Sequence, residues 1–285
     1  MPFVLRRATG EKDLELAQAH EQVALPRRGT IGWDEFDPAV YRPEALAAAA
    51  EAWRARVEQE YHSLALFTQI SSQVHLLGAP LDWAGAFARM IGDEVRHTEL
   101  CARMAELLDP GTGVSIDSTK LHLPVIAGSL QAHVRAAIVT TFCIGETLSG
   151  RMFRRCLRAA TVPLARDIVR TICDDETFHS RFGWEAGALL MRSDAPDFAR
   201  ERGVLARQLP ELFAHYREAC GAARGREWAL SEPEMLPSRS ANFGVLTDVG
   251  YARAFFEGMD EDVVPGLVAI GFPEAEDAWA NLERG

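Results

Sequence analysis

The sequence predicts an all-α fold, a four-helix bundle with one long crossover connection and helical extensions before and after it. A short string occurs twice, as Asp93-Glu94-Val95-Arg96-His97 and as Asp175-Glu176-Thr177-Phe178-His179. A lone glutamate precedes the glutamate of each copy, Glu60 by 34 residues and Glu146 by 30 residues. These spacings suit helix–loop–helix hairpins that bring two helix midpoints together at a rise of 1.5 Å per residue. Two such hairpins make a four-helix bundle.

The repeated string has the spacing of a metal site. Residues three apart share a helix face, so Glu94 and His97 can bind one ion, as can Glu176 and His179. A Glu-x-x-His from each of two helices, with a lone Glu from each of two others, holds two metal ions in bundle cores. Only four Asp-Glu pairs occur in the chain, so chance predicts about 0.1 copies of Asp-Glu-x-x-His. Two copies are present.

The neighbours of the four glutamates indicate burial. Around Glu94 the helix face contains Phe87, Met90, Cys101 and Met104. Glu60, Glu146 and Glu176 interrupt similar apolar stripes. A solvated helix face would not have this composition, and uncompensated buried carboxylates are costly. A pair of metal cations would remove that cost.

Length and composition predict one soluble domain over residues 1–285. We expect an N-terminal extension over 1–43, a metal-binding four-helix bundle over 44–193 and a C-terminal helical extension over 194–285. The net charge of −11 disfavours nucleic acid and anionic membranes as partners. The five cysteines have no C-x-x-C spacing, the N-terminus has no apolar signal core, and no apolar run approaches 18 residues. We therefore expect a cytoplasmic protein.

Proline and glycine mark the individual elements. A short helix is predicted over 11–23, and Pro43 suits the first turn of a long helix that ends near Leu77, before Gly78. The next three bundle helices are predicted over 82–109, 124–160 and 163–192, with a Gly/Ser/Thr loop at 110–123. The C-terminal part has predicted helices over 196–221, 248–259 and 274–282. Residues 223–244 and 263–273 are predicted to be irregular.

The first bundle helix offers two glutamates. Glu58 shares its face with Arg54, His62 and Ala65, which is a mixed, solvated set. Glu60 lies on the apolar face and is the predicted ligand.

Together these residues resemble the ferritin-like diiron-carboxylate superfamily. The resemblance covers about residues 44–193, and the superfamily's set of four carboxylates and two histidines matches at every position: Glu60, Glu94, His97, Glu146, Glu176 and His179. It implies a ferritin-like bundle with two iron ions (Fe²⁺/Fe³⁺), or manganese, and O₂ as co-substrate. It also implies that the four glutamates take part in catalysis as ligands and that Glu94 or Glu176 bridges the metals. By the same resemblance, Asp175 would orient His97 and Asp93 would orient His179.

Three positions depart from particular branches of the superfamily. Cys101 stands where small-subunit ribonucleotide reductases usually have a radical tyrosine. Gly150 stands where bacterial multicomponent hydroxylases often have threonine, and Ile172 where arylamine N-oxygenases have a third histidine. Rubrerythrins would need an extra Cys-rich iron module, which the chain lacks. The resemblance therefore implies a six-ligand site without selecting a branch.

The predicted function is that of a diiron oxygenase or oxidase acting on a small or carrier-bound organic substrate. Hydroxylation, N-oxygenation, desaturation and C–C cleavage all remain open. No flavin or ferredoxin module is visible, so electrons would come from a separate donor or from the substrate. The alternatives are a ferroxidase and a manganese catalase, and a homodimer is expected from the resemblance. Small residues near the site leave room for a substrate or serve close helix packing: Gly145, Ser149, Gly150, Ser180 and Gly183.

Overall fold

The computed structural model describes residues 2–5, 14–26, 29–123, 128–192, 197–233 and 241–284. Apart from short 3₁₀ turns and loops, these residues form helices and two short strands, β1 (Pro2–Val4) and β2 (Ser115–Asp117), which pair antiparallel. The helices are α1 (Leu14–Ala24), α2 (Pro43–Leu76), α3 (Leu81–Leu108), α4 (Leu130–Ala137), α5 (Thr147–Ala159), α6 (Pro163–Leu190), α7 (Phe198–Ala219), α8 (Arg226–Ser231), α9 (Asp248–Gly258), α10 (Val264–Ala269) and α11 (Glu274–Arg284). The all-α prediction is confirmed.

The chain divides into two compact units. The first unit contains residues 1–124, 160–175 and 241–245, and the second contains 125–159, 176–240 and 246–285. Helix α6 contributes its first half to the first unit and its second half to the second. The prediction of one domain, with its three segments, stays a prediction.

Helices α2 and α3 are the main elements of the first unit and pack along one another. Pro43 is the first residue of α2, and Gly78, with a φ of 73°, follows its end. A left-handed glycine is a common end for a helix, as the sequence predicted. The apolar faces of both helices form the core of this unit, which includes Trp53, Val57, Phe67, Ile70, Phe87, Met90 and Met104.

Residues 241–245 accept two hydrogen bonds from helix α2 close to Glu60. The Trp53 indole donates to the Phe243 carbonyl at 3.1 Å, and the buried Arg56 guanidinium donates to the Gly244 carbonyl. Gly244 has a φ of 73°, which favours glycine. A segment distant in sequence thus fixes the α2 turns that precede Glu60.

The second unit contains a continuous helical run from α4 through α5. Its core includes an aromatic group in which Phe213 and Phe255 each make an edge contact with Trp279. Helix α6 approaches this run very closely, because a Cβ on Gly183 would lie 2.6 Å from the carbonyl carbon of Phe142. Glycine is therefore the residue that permits this backbone contact.

The segment between α4 and α5, Ile138–Glu146, is π-helical. A π-helix bonds residue i to i+5, is rare, and occurs frequently at functional sites. The Tyr216 hydroxyl of α7 donates to the Thr140 carbonyl in this segment at 2.7 Å. A Cβ on Gly145 would lie 3.1 Å from that hydroxyl. Glu146 is the last residue of the segment.

Several predicted irregular regions are in fact ordered. The predicted loop at 110–123 contains β2, and the predicted irregular region at 223–244 contains α8. The predicted loop after residue 263 is helical, because α10 continues without a break from α9 and the π-helical segment Met259–Val263. The helix starts predicted at Glu11, Pro124 and Pro196 lie outside the described residues.

None of the helices in the described ranges is long and apolar enough to cross a membrane.

Candidate metal centre

A first cluster of candidate ligands lies on the two main helices of the first unit. Helix α2 contributes Glu60, and α3 contributes Glu94 and His97. One ligand atom from each lies within 4.8 Å of the others. The Nδ1 atom of His97 is 3.4 Å from Glu60 Oε2 and 3.8 Å from Glu94 Oε1. All three residues are at most 5% exposed.

Asp175 and Arg96 support the histidine of the first cluster. Asp175 Oδ2 lies 3.4 Å from His97 Nε2, so the predicted hydrogen bond from His97 to Asp175 is present. The buried Arg96 donates to Asp175 at 2.9 Å, to Asp93 at 2.7 Å and to the Leu25 carbonyl at 2.7 Å. A carboxylate that accepts from Nε2–H leaves Nδ1 as the lone-pair nitrogen, directed at the two glutamates.

Burial and neighbouring charges shift the pKa values of His97 and Asp175 in opposite directions. Burial lowers the pKa of His97, but hydrogen bonds to Asp175 and Glu60 and the charge of Glu94 raise it, and the net pKa lies well above the usual value. Burial raises the pKa of Asp175, yet the hydrogen bond and charge of His97 bring it below the usual value. The two shifts have one cause, the attraction between a protonated His97 imidazole and the carboxylates around it.

A second cluster lies in the second unit and has the same composition. Glu146 ends the π-helical segment, and Glu176 and His179 lie one turn apart on α6. The Nδ1 atom of His179 is 3.2 Å from Glu146 Oε2 and 3.8 Å from Glu176 Oε1. These residues also lie within 4.8 Å by their ligand atoms and are at most 5% exposed.

Both clusters fit a metal cation on the chemistry of their donors. In each, two buried glutamates approach one imidazole through Nδ1, the lone Glu being the closer and the i,i+3 Glu the more distant. Removing an ionised carboxylate from water costs several kcal/mol unless positive charge compensates it. Each cluster brings two carboxylates and one imidazole together in a buried position, so each can hold a divalent cation.

The nearby cysteines do not enlarge the donor set. Burial and the charge of Glu60 raise the pKa of Cys101 well above its usual value, and burial raises the pKa of Cys143. Both thiols are buried. In the part of the chain that the structure describes, neither cysteine belongs to the groups of close ligand atoms, so the donors that come together there are carboxylate and imidazole.

The structure brings together the residues that the sequence selected in each half of the chain. Glu60 is buried and Glu58 is exposed, as the helix-face argument predicted. Asp175 contacts His97 as predicted, and Asp93 is held by Arg96 and by Arg89, whose Nε lies 3.6 Å from Asp93 Oδ2. The role predicted for Asp93 in orienting His179 stays a prediction.

The small residues divide between two roles. Gly183 serves close packing against Phe142, and Gly145 makes room for the Tyr216 hydroxyl. Gly150 and Ser180 instead border polar groups, because a Cβ on Gly150 would lie 3.3 Å from Arg154 Nη1 and Ser180 bonds to the Thr147 hydroxyl.

Sequence reasoning missed Arg96 and Tyr216. Arg96 lies inside the repeated string, and an arginine on a face that also carries a buried aspartate was a usable signal. Tyr216 had no such signal, because its contact depends on how α7 packs against a π-helical segment.

No protein-family model, curated protein or solved structure matches this chain.

Proposed function

We propose that the protein is a non-haem diiron oxygenase or oxidase that uses O₂ to oxidise a small or carrier-bound organic molecule. The observation that carries the proposal is the duplicated cluster of two buried glutamates and one histidine. We further propose that α2, α3, the run from α4 to α5, and α6 form the ferritin-like four-helix bundle. In that arrangement the six ligands hold one dinuclear centre. The resemblance of the repeated motif to the diiron-carboxylate superfamily supports this arrangement.

Iron is proposed because of the donor set. Imidazole suits iron and several later transition metals, whereas carboxylate oxygens suit harder ions such as manganese. A mixed set without thiolate therefore favours iron or manganese. When bound, a pair of ferrous ions would supply two electrons together for the activation of O₂.

The chain's own groups have three tasks in this proposal. The four glutamates and two histidines bind the cations through buried side chains, from which water is largely excluded. Asp175 holds the proton of His97 on Nε2 and so keeps Nδ1 available as a ligand. Arg96 holds Asp175 and Asp93 in place and balances part of their charge. Electrons come from a separate donor or from the substrate itself.

The first test is the metal content of freshly purified protein, measured by elemental analysis on wild type, His97→Ala and Glu176→Ala. We expect about two irons per chain in wild type and the loss of at least one metal in each variant. O₂ uptake by the reduced protein, coupled to oxidation of an added organic compound, would support the oxygenase assignment.

Other results would redirect or remove the proposal. Rapid iron oxidation with growth of ferric mineral would favour a ferroxidase, and bound manganese with peroxide dismutation would favour a catalase. Full metal occupancy in both variants, or no bound metal in wild type, would contradict the assignment of these ligands.

A further inference from the structure

A cleft of about 510 Å³ opens on the second unit beside the second cluster. Helices α5 and α6 form one side of it, and the π-helical segment Met259–Val263 with α10 forms the other. The lining residues that carry hydrogen-bonding or charged side chains are Thr147, Arg154, Ser180, Trp184, Glu261 and Asp262. The volume lies in the range of small-molecule sites.

Three polar groups in the lining of the cleft are joined by hydrogen bonds. The Thr147 and Ser180 hydroxyls are 2.9 Å apart, and the Trp184 indole donates to the Thr147 hydroxyl at 3.0 Å. Thr147 directly follows Glu146 in sequence, and Ser180 directly follows His179. Two residues that line the cleft are therefore sequence neighbours of candidate metal ligands.

Arg154 differs from the arginines beside it on α5. Arg151 binds Asp262 and Glu261 at 2.7 Å, and Arg155 binds Glu257 at 2.8 Å. Arg154 is exposed and forms no ion pair with any residue in the described part of the chain.

The Arg154 guanidinium lies back along α5 beside Gly150, which faces helix α6 at Glu176. A Cβ built on Gly150 would lie 3.3 Å from Arg154 Nη1 and 3.8 Å from the Cβ of Glu176. Since Gly150 has no side chain, nothing from that position separates the guanidinium from this part of α6.

The negative charges of Glu261 and Asp262 in the cleft are partly balanced by Arg151. Glu261 and Asp262 share the guanidinium of Arg151, and the pKa of Arg151 is raised by its hydrogen bonds to them despite the opposing effect of burial. Among the described residues that line the cleft, the positive charge left to meet a ligand is that of Arg154.

We propose that this cleft binds the organic substrate, and that the substrate carries an anionic group, a carboxylate or a phosphate, that Arg154 binds. A guanidinium suits both groups, because its N–H donors match paired oxygens. The polar chain of Thr147 and Ser180 then meets the part of the substrate nearest the second cluster. The inference rests on the proposed oxidation of an organic molecule for the reaction that follows binding.

The test measures binding rather than turnover. Hexanoate, hexylamine and inorganic phosphate are titrated calorimetrically into wild type, Arg154→Gln and the matched control Arg158→Gln, an exposed arginine on the same helix and outside the cleft. We expect hexanoate to bind wild type and Arg158→Gln equally, and Arg154→Gln at least about tenfold more weakly. The metal content of all three proteins is measured in parallel and should not differ.

Either of two results would overturn the proposal: equal hexanoate affinity in Arg154→Gln, or tighter binding of hexylamine than of hexanoate. Competition of phosphate with hexanoate in wild type, lost in Arg154→Gln, would support a phosphate-bearing or carrier-bound substrate. Binding of hexanoate alone would support a carboxylic acid. A failure of the proposed diiron function would appear in the metal content, independently of these titrations.

Discussion

At the scale of single residues, Glu58 and Glu60 show how sharply one helix separates exposed from buried carboxylates. They lie two positions apart on α2, yet Glu60 is 5% exposed and close to His97 whereas Glu58 faces solvent. Glu60→Gln should therefore lower metal content, because it removes an anionic ligand of the first cluster. Glu58→Gln is the control and should keep full occupancy. Elemental analysis of both purified variants decides this, and metal loss in Glu58→Gln would reverse the choice of ligand.

Asp175 should affect metal binding without being a ligand. Its hydrogen bond orients His97, and losing such a partner usually weakens metal binding by about 10–100-fold. Asp175→Asn should show this loss in a competition titration with a chromophoric chelator. Asp174→Asn changes an exposed neighbour on the same helix and should bind metal as wild type does. An unchanged affinity in Asp175→Asn would contradict the orienting role.

All six candidate ligands were found from sequence because their spacing follows helix geometry. Glu94 and His97 share a face wherever the helix forms, so no tertiary information is needed to pair them. The Arg96 network was not found, because its contacts with Asp175 and the Leu25 carbonyl join residues 79 and 71 positions apart. The pairing of Arg96 with Asp93 on one helix face was open to sequence reasoning, but the partners that lie far away in the chain were not.

At the scale of elements, the Tyr216 hydroxyl of α7 packs against the π-helical segment, where it bonds to the Thr140 carbonyl and lies close to Gly145. Tyr216→Phe should lower the free energy of unfolding by about 1 kcal/mol, since the Thr140 carbonyl loses a partly buried hydrogen-bond donor. Gly145→Ala places a methyl 3.1 Å from the same hydroxyl. It should be tolerated better once that hydroxyl is gone.

The measurement is a double-mutant cycle by urea denaturation. We expect the effect of Gly145→Ala to be more favourable in the Tyr216→Phe background than in wild type, with a coupling of about 1 kcal/mol. Strictly additive effects would show that the two residues do not constrain each other.

Helix boundaries were predictable where proline or glycine set them. The helix predicted from Pro43 to about Leu77 is α2, and the segment predicted over 163–192 is α6, which ends at Leu190. The π-helical segment was predicted as ordinary helix, because both helix types favour the same apolar residues. Pro265-Gly266 was interpreted as a loop, but both residues lie in α10. Glycine is needed at position 266 for packing, because a Cβ there would lie 2.5 Å from the Trp184 ring.

At the scale of the whole molecule, metal binding should control stability. Six candidate ligands are buried, and a ligand that binds only the folded state stabilises it by about 4 kcal/mol when its free concentration is a thousandfold above Kd. Ferrous ion added under anaerobic conditions should therefore raise the thermal unfolding temperature, and a chelator should lower it.

The control for this prediction is the double variant Glu94→Ala and Glu176→Ala, which removes one glutamate from each cluster. Its unfolding temperature should not respond to ferrous ion. An equal response in the variant would show that the stabilisation comes from other sites.

The buried cysteines allow the local opening of each compact unit to be measured by thiol labelling. Cys101 belongs to the first unit and Cys143 to the second, and both are buried thiols with raised pKa values. An alkylating reagent reacts with the thiolate, so it can modify these residues only in the moments when their surroundings open. The two labelling half-lives, read separately by peptide mass, would reveal which half of the chain opens first.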